Sequence, residues 1–420
     1  MQNISYFCIV KHFKYFLRSL LGLFLAFVPA TMNAQETDSL QVSLLTCGPG
    51  NEVYSYYGHT AIRLKGWSFY FFNAAGLPVE KRDVVVNYGS FSFRQKYFIA
   101  RFILGLTDYE VSLAPFELFV AEYNHERRWV REQVLNLTPA EKEALYEAIC
   151  RNLEPQNKTY RYNYFTDNCT TRARNIILGN MSDEVVFDWE SKPAGTYREM
   201  IHQYNRQHLW AAFGNDLLLG LGADSPIDAF EQQFLPIPLS NDFEHATIAR
   251  NGNTPQKLVK ATNQLVSMQE NPHKAEPFLF SPMMCACCLC LLLIIVTAVE
   301  IKRKQTLWQT DAITMLITGL AGIILFVMLF SQHPTVRCNL QIMLLNPLNL
   351  VFLYPAVKRL RRGKLHAWHV GWMVMLLLCA TAGSVGIQHY ADGILLLAYT
   401  LLFRQCAIVY RLYQHKTKTN

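Results

Sequence analysis

The sequence predicts an α+β domain exported across a membrane, followed by an all-α bundle of about five transmembrane helices. Three features carry that expectation. The N-terminus has a secretory layout, residues 36–280 mix strand-like alternation with capped helix starts, and residues 283–411 are long uncharged runs joined by basic loops. At 420 residues the chain holds a sizeable core plus a second region, and its mean hydropathy of +0.08 conceals that uneven distribution.

Residues 1–34 read as a signal peptide. Lys11, Lys14 and Arg18 precede an apolar run over 20–30, and Ala34 offers a cleavage point. Met32 fits poorly at the position where a small residue is preferred, so an uncleaved anchor is the alternative. Either outcome exports residues 35–250 as one domain.

Within that domain, residues 41–45 form a first strand and Cys47-Gly48-Pro49-Gly50 a turn. From His59 onward His59, Ala61 and Arg63 alternate with Thr60, Ile62 and Leu64. The apolar side suits a sheet packed on a helix, which leaves His59 and Arg63 toward a cleft. Residues 67–72 and 83–88 are the next strands by their β-branched and aromatic content. Thr138-Pro139-Ala140-Glu141 is a capping box with proline in the first turn, opening a helix to about Asn152. A tyrosine-rich segment then leads to Asp167-Asn168-Cys169, where Asp167 or Asn168 caps a helix with Cys169 in its first turn. The segment 210–221 is too short to span and reads as either an interfacial surface or a core hairpin, and residues 251–282 read as a linker.

Five stretches, about 283–299, 312–331, 338–357, 367–388 and 393–410, approximate the roughly 20 residues a span needs. Lys302, Arg303 and Lys304, then Lys358 to Lys364, then Arg411, Lys416 and Lys418 all fall on one side, so residues 412–420 are a cytoplasmic tail. The formal charge of +7 is thus a topology signal, and nucleic acid is not an expected partner. Asn346 and Asn349 read as interhelical glue. His333 and Asn339, at the outer mouth, are candidates for holding a lipid headgroup, and Arg404 is expected to snorkel toward the cytoplasmic edge.

Of the 11 cysteines, Cys47, Cys150 and Cys169 fall in the exported domain, an odd count that argues against a disulfide framework, although a Cys47–Cys150 bridge is compatible with it. The cluster Cys285, Cys287, Cys288 and Cys290 lacks histidine or acidic partners and reads as helix packing. Cys169 is the candidate nucleophile: a helix start favours thiolate, and an imidazole such as His59 takes its proton. Cys47, in a turn near the histidine strand, is the rival.

Gly58-His59-Thr60-Ala61-Ile62-Arg63, Asn87-Tyr88-Gly89 and Tyr164-Phe165-Thr166-Asp167-Asn168-Cys169-Thr170-Thr171-Arg172, together with His333-Pro334 and Asn346-Pro347-Leu348, resemble the Lnb family of lipoprotein N-acyltransferases. More distantly, a histidine strand preceding an Asn-Cys helix is similar to circularly permuted papain-like folds of the NlpC/P60 kind. The resemblance implies a catalytic Cys169 and His59, with Asn87 as the orienting third residue ahead of Asn73 and Asp167. Arg63, Tyr164, Asp167, Asn168, His333 and Asn339 are the candidate substrate contacts. It further implies a phospholipid acyl donor, a diacylated lipoprotein acceptor, no metal or cofactor, and residence in the bacterial inner membrane with the catalytic domain in the periplasm. A membrane-anchored peptidoglycan peptidase or amidase, or a non-enzymatic membrane sensor, are the alternatives.

Overall fold

The computed structural model describes residues 40–92, 96–189, 194–250, 254–267 and 278–419. The expected leader and its Ala34 cleavage point lie outside them, as do parts of the expected linker. Two compact units emerge. One comprises Met1–Lys96, Thr107–Pro193 and Asp228–Pro272, and the other Tyr97–Leu106, Ala194–Ile227 and His273–Asn420. Two insertions from within the expected exported region thus belong with the membrane-spanning helices, where a single contiguous exported domain was expected.

The first unit is built on a seven-stranded antiparallel sheet. Its strands are β1 (Gln41–Cys47), β2 (His59–Phe72), β3 (Pro78–Ser90), β4 (Asp108–Pro115), β5 (Val130–Leu135) and β6 (Thr159–Arg161), with Val259–Val266 as one edge. The order across the sheet is Val259–Val266, β5, β1, β2, β3, β4, β6. The edge strand pairs with β5, so this part of the expected linker is instead structural. Strand alternation places Val42, Leu44, Ile62, Leu64, Val84 and Val86 on one face, under the helices Pro139–Leu153, Cys169–Leu178 and Pro236–His245. Leu45, Ala61 and Val85 point the other way and are covered by Phe119 and Tyr123 of the helix Phe116–His125. Both faces are therefore buried, and the open cleft expected along the His59 side is confined to the end of the sheet. The Pro139–Leu153 helix begins as its sequence dictates: Thr138 accepts from the Glu141 N–H, and the Glu141 carboxylate accepts from the Thr138 N–H. Such a cap contributes about 1 kcal/mol.

In the second unit five helical segments are long and apolar enough to cross a membrane: Pro282–Arg303, Trp308–Met328, Leu340–Arg361, Ala367–Ser384 and Ile394–Tyr413. The third enters as a 3-10 turn, Leu340–Met343, and becomes α-helical from Leu348, after Pro347. A Cβ on Gly322 would meet the Leu345 carbonyl oxygen at 2.4 Å, so only glycine lets the second and third segments approach this closely. Asn349 is the expected glue, donating to Thr318 and accepting from the Trp368 indole, each at 2.8 Å.

Arg404 does not snorkel. It is 1% exposed, and all five of its N–H groups are used. It forks onto Asp311 with two 2.8 Å bonds, reaches Thr297 at 3.0 Å and meets both Glu300 oxygens at 3.3 Å. With two carboxylates in reach, pairing inside the bundle replaces the route to water.

The two insertions are tied to the loops between these segments. The Gln332 N–H donates to the Leu104 carbonyl, the Gly220 N–H to the Thr335 carbonyl and the Leu221 N–H to the Cys338 carbonyl, at 2.7–2.9 Å. The segment around Trp210 forms the helix Leu209–Leu218 within this unit, and the Trp210 indole donates to the Phe280 carbonyl.

Candidate active site

Three stretches of the first unit converge at one end of the sheet: the start of β2 at His59, the end of β3 at Asn87 to Gly89, and the start of the Cys169 helix. Asn168 sets the helix start. Its Oδ1 accepts from the Thr170 and Thr171 N–H groups at 2.8 and 2.9 Å, and its Nδ2 donates to the carbonyls of Tyr164 and Phe234. Asn168 is thereby fully committed within the protein, so it positions Cys169 and is not the substrate contact the motif suggested. Thr60 and Thr170 share a 3.0 Å hydrogen bond between their hydroxyls, which fixes the strand to the helix. Gly89 completes the approach: its φ is +84°, and a Cβ there would stand 3.4 Å from the Cys169 Cβ.

The His59 and Cys169 side chains are hydrogen-bonded to each other, and His59 Nε2 lies 3.2 Å from Asn87 Oδ1. The amide oxygen only accepts, so in the neutral imidazole Nε2 carries the proton and Nδ1 does not. Burial works against a charged sulfur. The His59 charge, the His59 hydrogen bond, the Thr60 backbone N–H and the Thr170 hydroxyl outweigh it, and the thiol comes down from 9.0 to about 7. Burial likewise lowers the imidazole, but the sulfur's charge and the hydrogen bonds from Cys169 and Asn87 hold it above its ordinary value. The two shifts describe one pair tending toward thiolate and imidazolium.

Cys47 shows the contrast. It pairs directly with His59 in the β1–β2 register, yet it is fully buried and burial pushes its thiol up to about 12. It is a free thiol, so the Cys47–Cys150 bridge is absent among the described residues.

Tyr109, Tyr160 and Tyr162 surround the Cys169 side of the site. Tyr109 stacks on Tyr162 at 4.0 Å, and Phe91 extends the aromatic wall at 5.0 Å from Tyr109. Burial, then the neighbouring sulfur, raises all three phenols, which keeps them neutral. The sequence marked this region only as tyrosine-rich, and neither Thr60, Thr170 nor Tyr109 carried a local signal. Tyr164 packs edge-on against Tyr57, with ring centroids 5.2 Å apart. Asp167 forks onto Arg172 at 2.6 and 2.8 Å. Asn73, an alternative orienting residue, instead accepts from the N–H groups of Ala75 and Leu77 in an exposed turn.

The structure commits Arg63 and Asn339 to partners inside the protein. Arg63 donates to both Asp83 oxygens and to Glu132 and lies 3.4 Å over the Phe116 ring, so its charge is spent inside the sheet. Asn339 donates to the Leu217 carbonyl and accepts from the Gln341 N–H and the amides of Gln341 and Gln388. At 6% exposed and with its amide oxygen accepting three hydrogen bonds, Asn339 anchors the insertion around Leu217. His333 packs against Gly105 and Phe102, and burial lowers its pKa.

Two family models match the chain: the Lnb N-terminal periplasmic domain over residues 27–203 and the Lnb transmembrane domain over residues 274–416. Neither a search of curated proteins nor one of solved structures gave a match. A sheet-rich periplasmic half and a membrane-spanning half, each matched by the corresponding domain, make this multi-pass membrane protein a member of the Lnb family.

Proposed function

We propose that the protein is a lipoprotein N-acyltransferase of the inner membrane, working through a thioester on Cys169. The chain Asn87–His59–Cys169, with the thiol brought down to about 7, is the observation that carries this reading. Nδ1 of His59 takes the thiol proton, and the sulfur attacks an ester carbonyl carbon of a phospholipid. The carbon–oxygen bond to glycerol breaks, His59 returns the proton to the departing oxygen, and a lysophospholipid leaves. Asn168 occupies the Thr170 and Thr171 N–H groups, which leaves the Cys169 N–H at the helix start to stabilise the oxyanion. The unprotonated α-amine of a diacylglyceryl-cysteine then attacks the thioester carbonyl. A carbon–nitrogen bond forms, the carbon–sulfur bond breaks, and the amine's proton passes through His59. The order of the fold, histidine strand first and cysteine helix later, also fits the permuted papain-like plan.

The test is the full-length protein in phosphatidylethanolamine bilayers with a diacylated lipopeptide. Mass spectrometry is expected to find one acyl chain on the Cys169 peptide, and its transfer to the lipopeptide amine. An unmodified Cys169 alongside continued triacylation would overturn the mechanism. Release of muropeptides without acyl transfer would favour the peptidase.

A further inference from the structure

A cavity of about 500 Å³ opens beside the Cys169 helix, with Tyr88, Asn152, Asp167, Arg172, Asn175 and Ile176 in its lining. Cys169, Arg172 and Ile176 are spaced i, i+3 and i+7, so they share one helix stripe. The lining residues Asp167 and Arg172 flank Cys169 in sequence, and from there the cleft follows the helix to Ile176, about 10 Å from Cys169 along the axis. That length accommodates an extended peptide of about three residues.

Its chemistry selects among occupants. Arg172 is neutralised by its two-pronged pair with Asp167 and is held 3.4 Å over the Tyr160 ring, so an anion finds little net attraction. The amides stand differently. Asn152 Nδ2 donates to the Tyr88 hydroxyl at 2.9 Å, which leaves its Oδ1 to accept. Asn175 Oδ1 accepts from Arg174 Nε at 2.9 Å, which leaves its Nδ2 to donate. Among the described residues the cleft thus presents a spare acceptor and a spare donor, the complement of a backbone peptide unit. On the acyl-transfer reading, on which this inference rests, we infer that the cleft binds the polypeptide of the acceptor: the uncharged residues that follow its lipid-bearing N-terminal cysteine. The acceptor is recognised by its main chain, which suits an enzyme serving many lipoproteins.

The experiment uses the full-length protein in phosphatidylethanolamine nanodiscs, with synthetic diacylglyceryl-cysteine amide and its extensions by one to four uncharged residues. Acceptor kcat/KM is expected to rise with each added residue up to about three and then level off. Asn175→Leu, at an exposed helix position, is expected to lower kcat/KM about tenfold for the longer acceptors through KM, and to leave the bare cysteine amide unaffected. Equal use of short and long acceptors would overturn the inference. So would an Asn175→Leu defect in acyl-enzyme formation from phospholipid, which would assign the cleft to the donor headgroup. Failure of wild-type Cys169 to acylate at all is a separate readout, and it would remove the acyl-transfer reading itself.

Discussion

The end of the sheet around Cys169 and the middle of the helical bundle around Arg404 are both crowded with polar groups, but the two are finished differently. In the bundle every donor of Arg404 meets an acceptor, and Asn339 uses both ends of its amide. Around Cys169 the network ends at a sulfur beside a histidine that can give its proton away. Saturation builds scaffold, whereas a network ending on a titratable pair is prepared for chemistry.

The comparison breaks most sharply at the two neighbouring thiols. Cys169→Ala is expected to reduce acyl transfer by at least about 10⁴-fold, while Cys47→Ala keeps it within a few-fold, as lipopeptide mass spectrometry would read. In the bundle the expected loss is of stability. Arg404→Met strands Asp311 without its cation, while Glu300 keeps Arg411 at 3.4 Å, and is expected to cost about 3–5 kcal/mol in detergent unfolding. Adding Asp311→Asn should recover most of it, since Glu300 stays paired with Arg411 and no buried charge is then left unpaired.

Asn87→Ala frees the imidazole to turn and is expected to slow transfer by about 10²-fold, with the fold unchanged by circular dichroism. The mildest test is titration. The Cys169 thiol is lowered from 9.0 to about 7, so its thiolate is present above that pH and is lost as pH falls through it. Iodoacetamide alkylation of Cys169 should therefore fall about tenfold per pH unit below 7. His59→Ala should move that midpoint upward, because the cation that favours the thiolate is gone.

Much of this was legible in the residues because the signals were local. The Thr138–Glu141 capping box, the cap before Cys169, the β-branched strands and the long apolar runs each depend on neighbours a few positions apart. The partners of single charges were not legible. Arg63 finds Asp83 and Glu132 on two other strands, and Arg404 finds Asp311 and Glu300 on two other helices. A lone arginine in sequence therefore read as a cleft residue in one case and a snorkelling one in the other. Residues 259–266 looked like linker because an exposed edge strand is polar on its outer face.

The stitching of Tyr97–Leu106 and Ala194–Ile227 to the loops among the membrane helices has a practical side. No single cut in the chain separates the two units. A fragment ending at Pro272 would carry both insertions with the Leu217 and Leu104 carbonyls stripped of their donors.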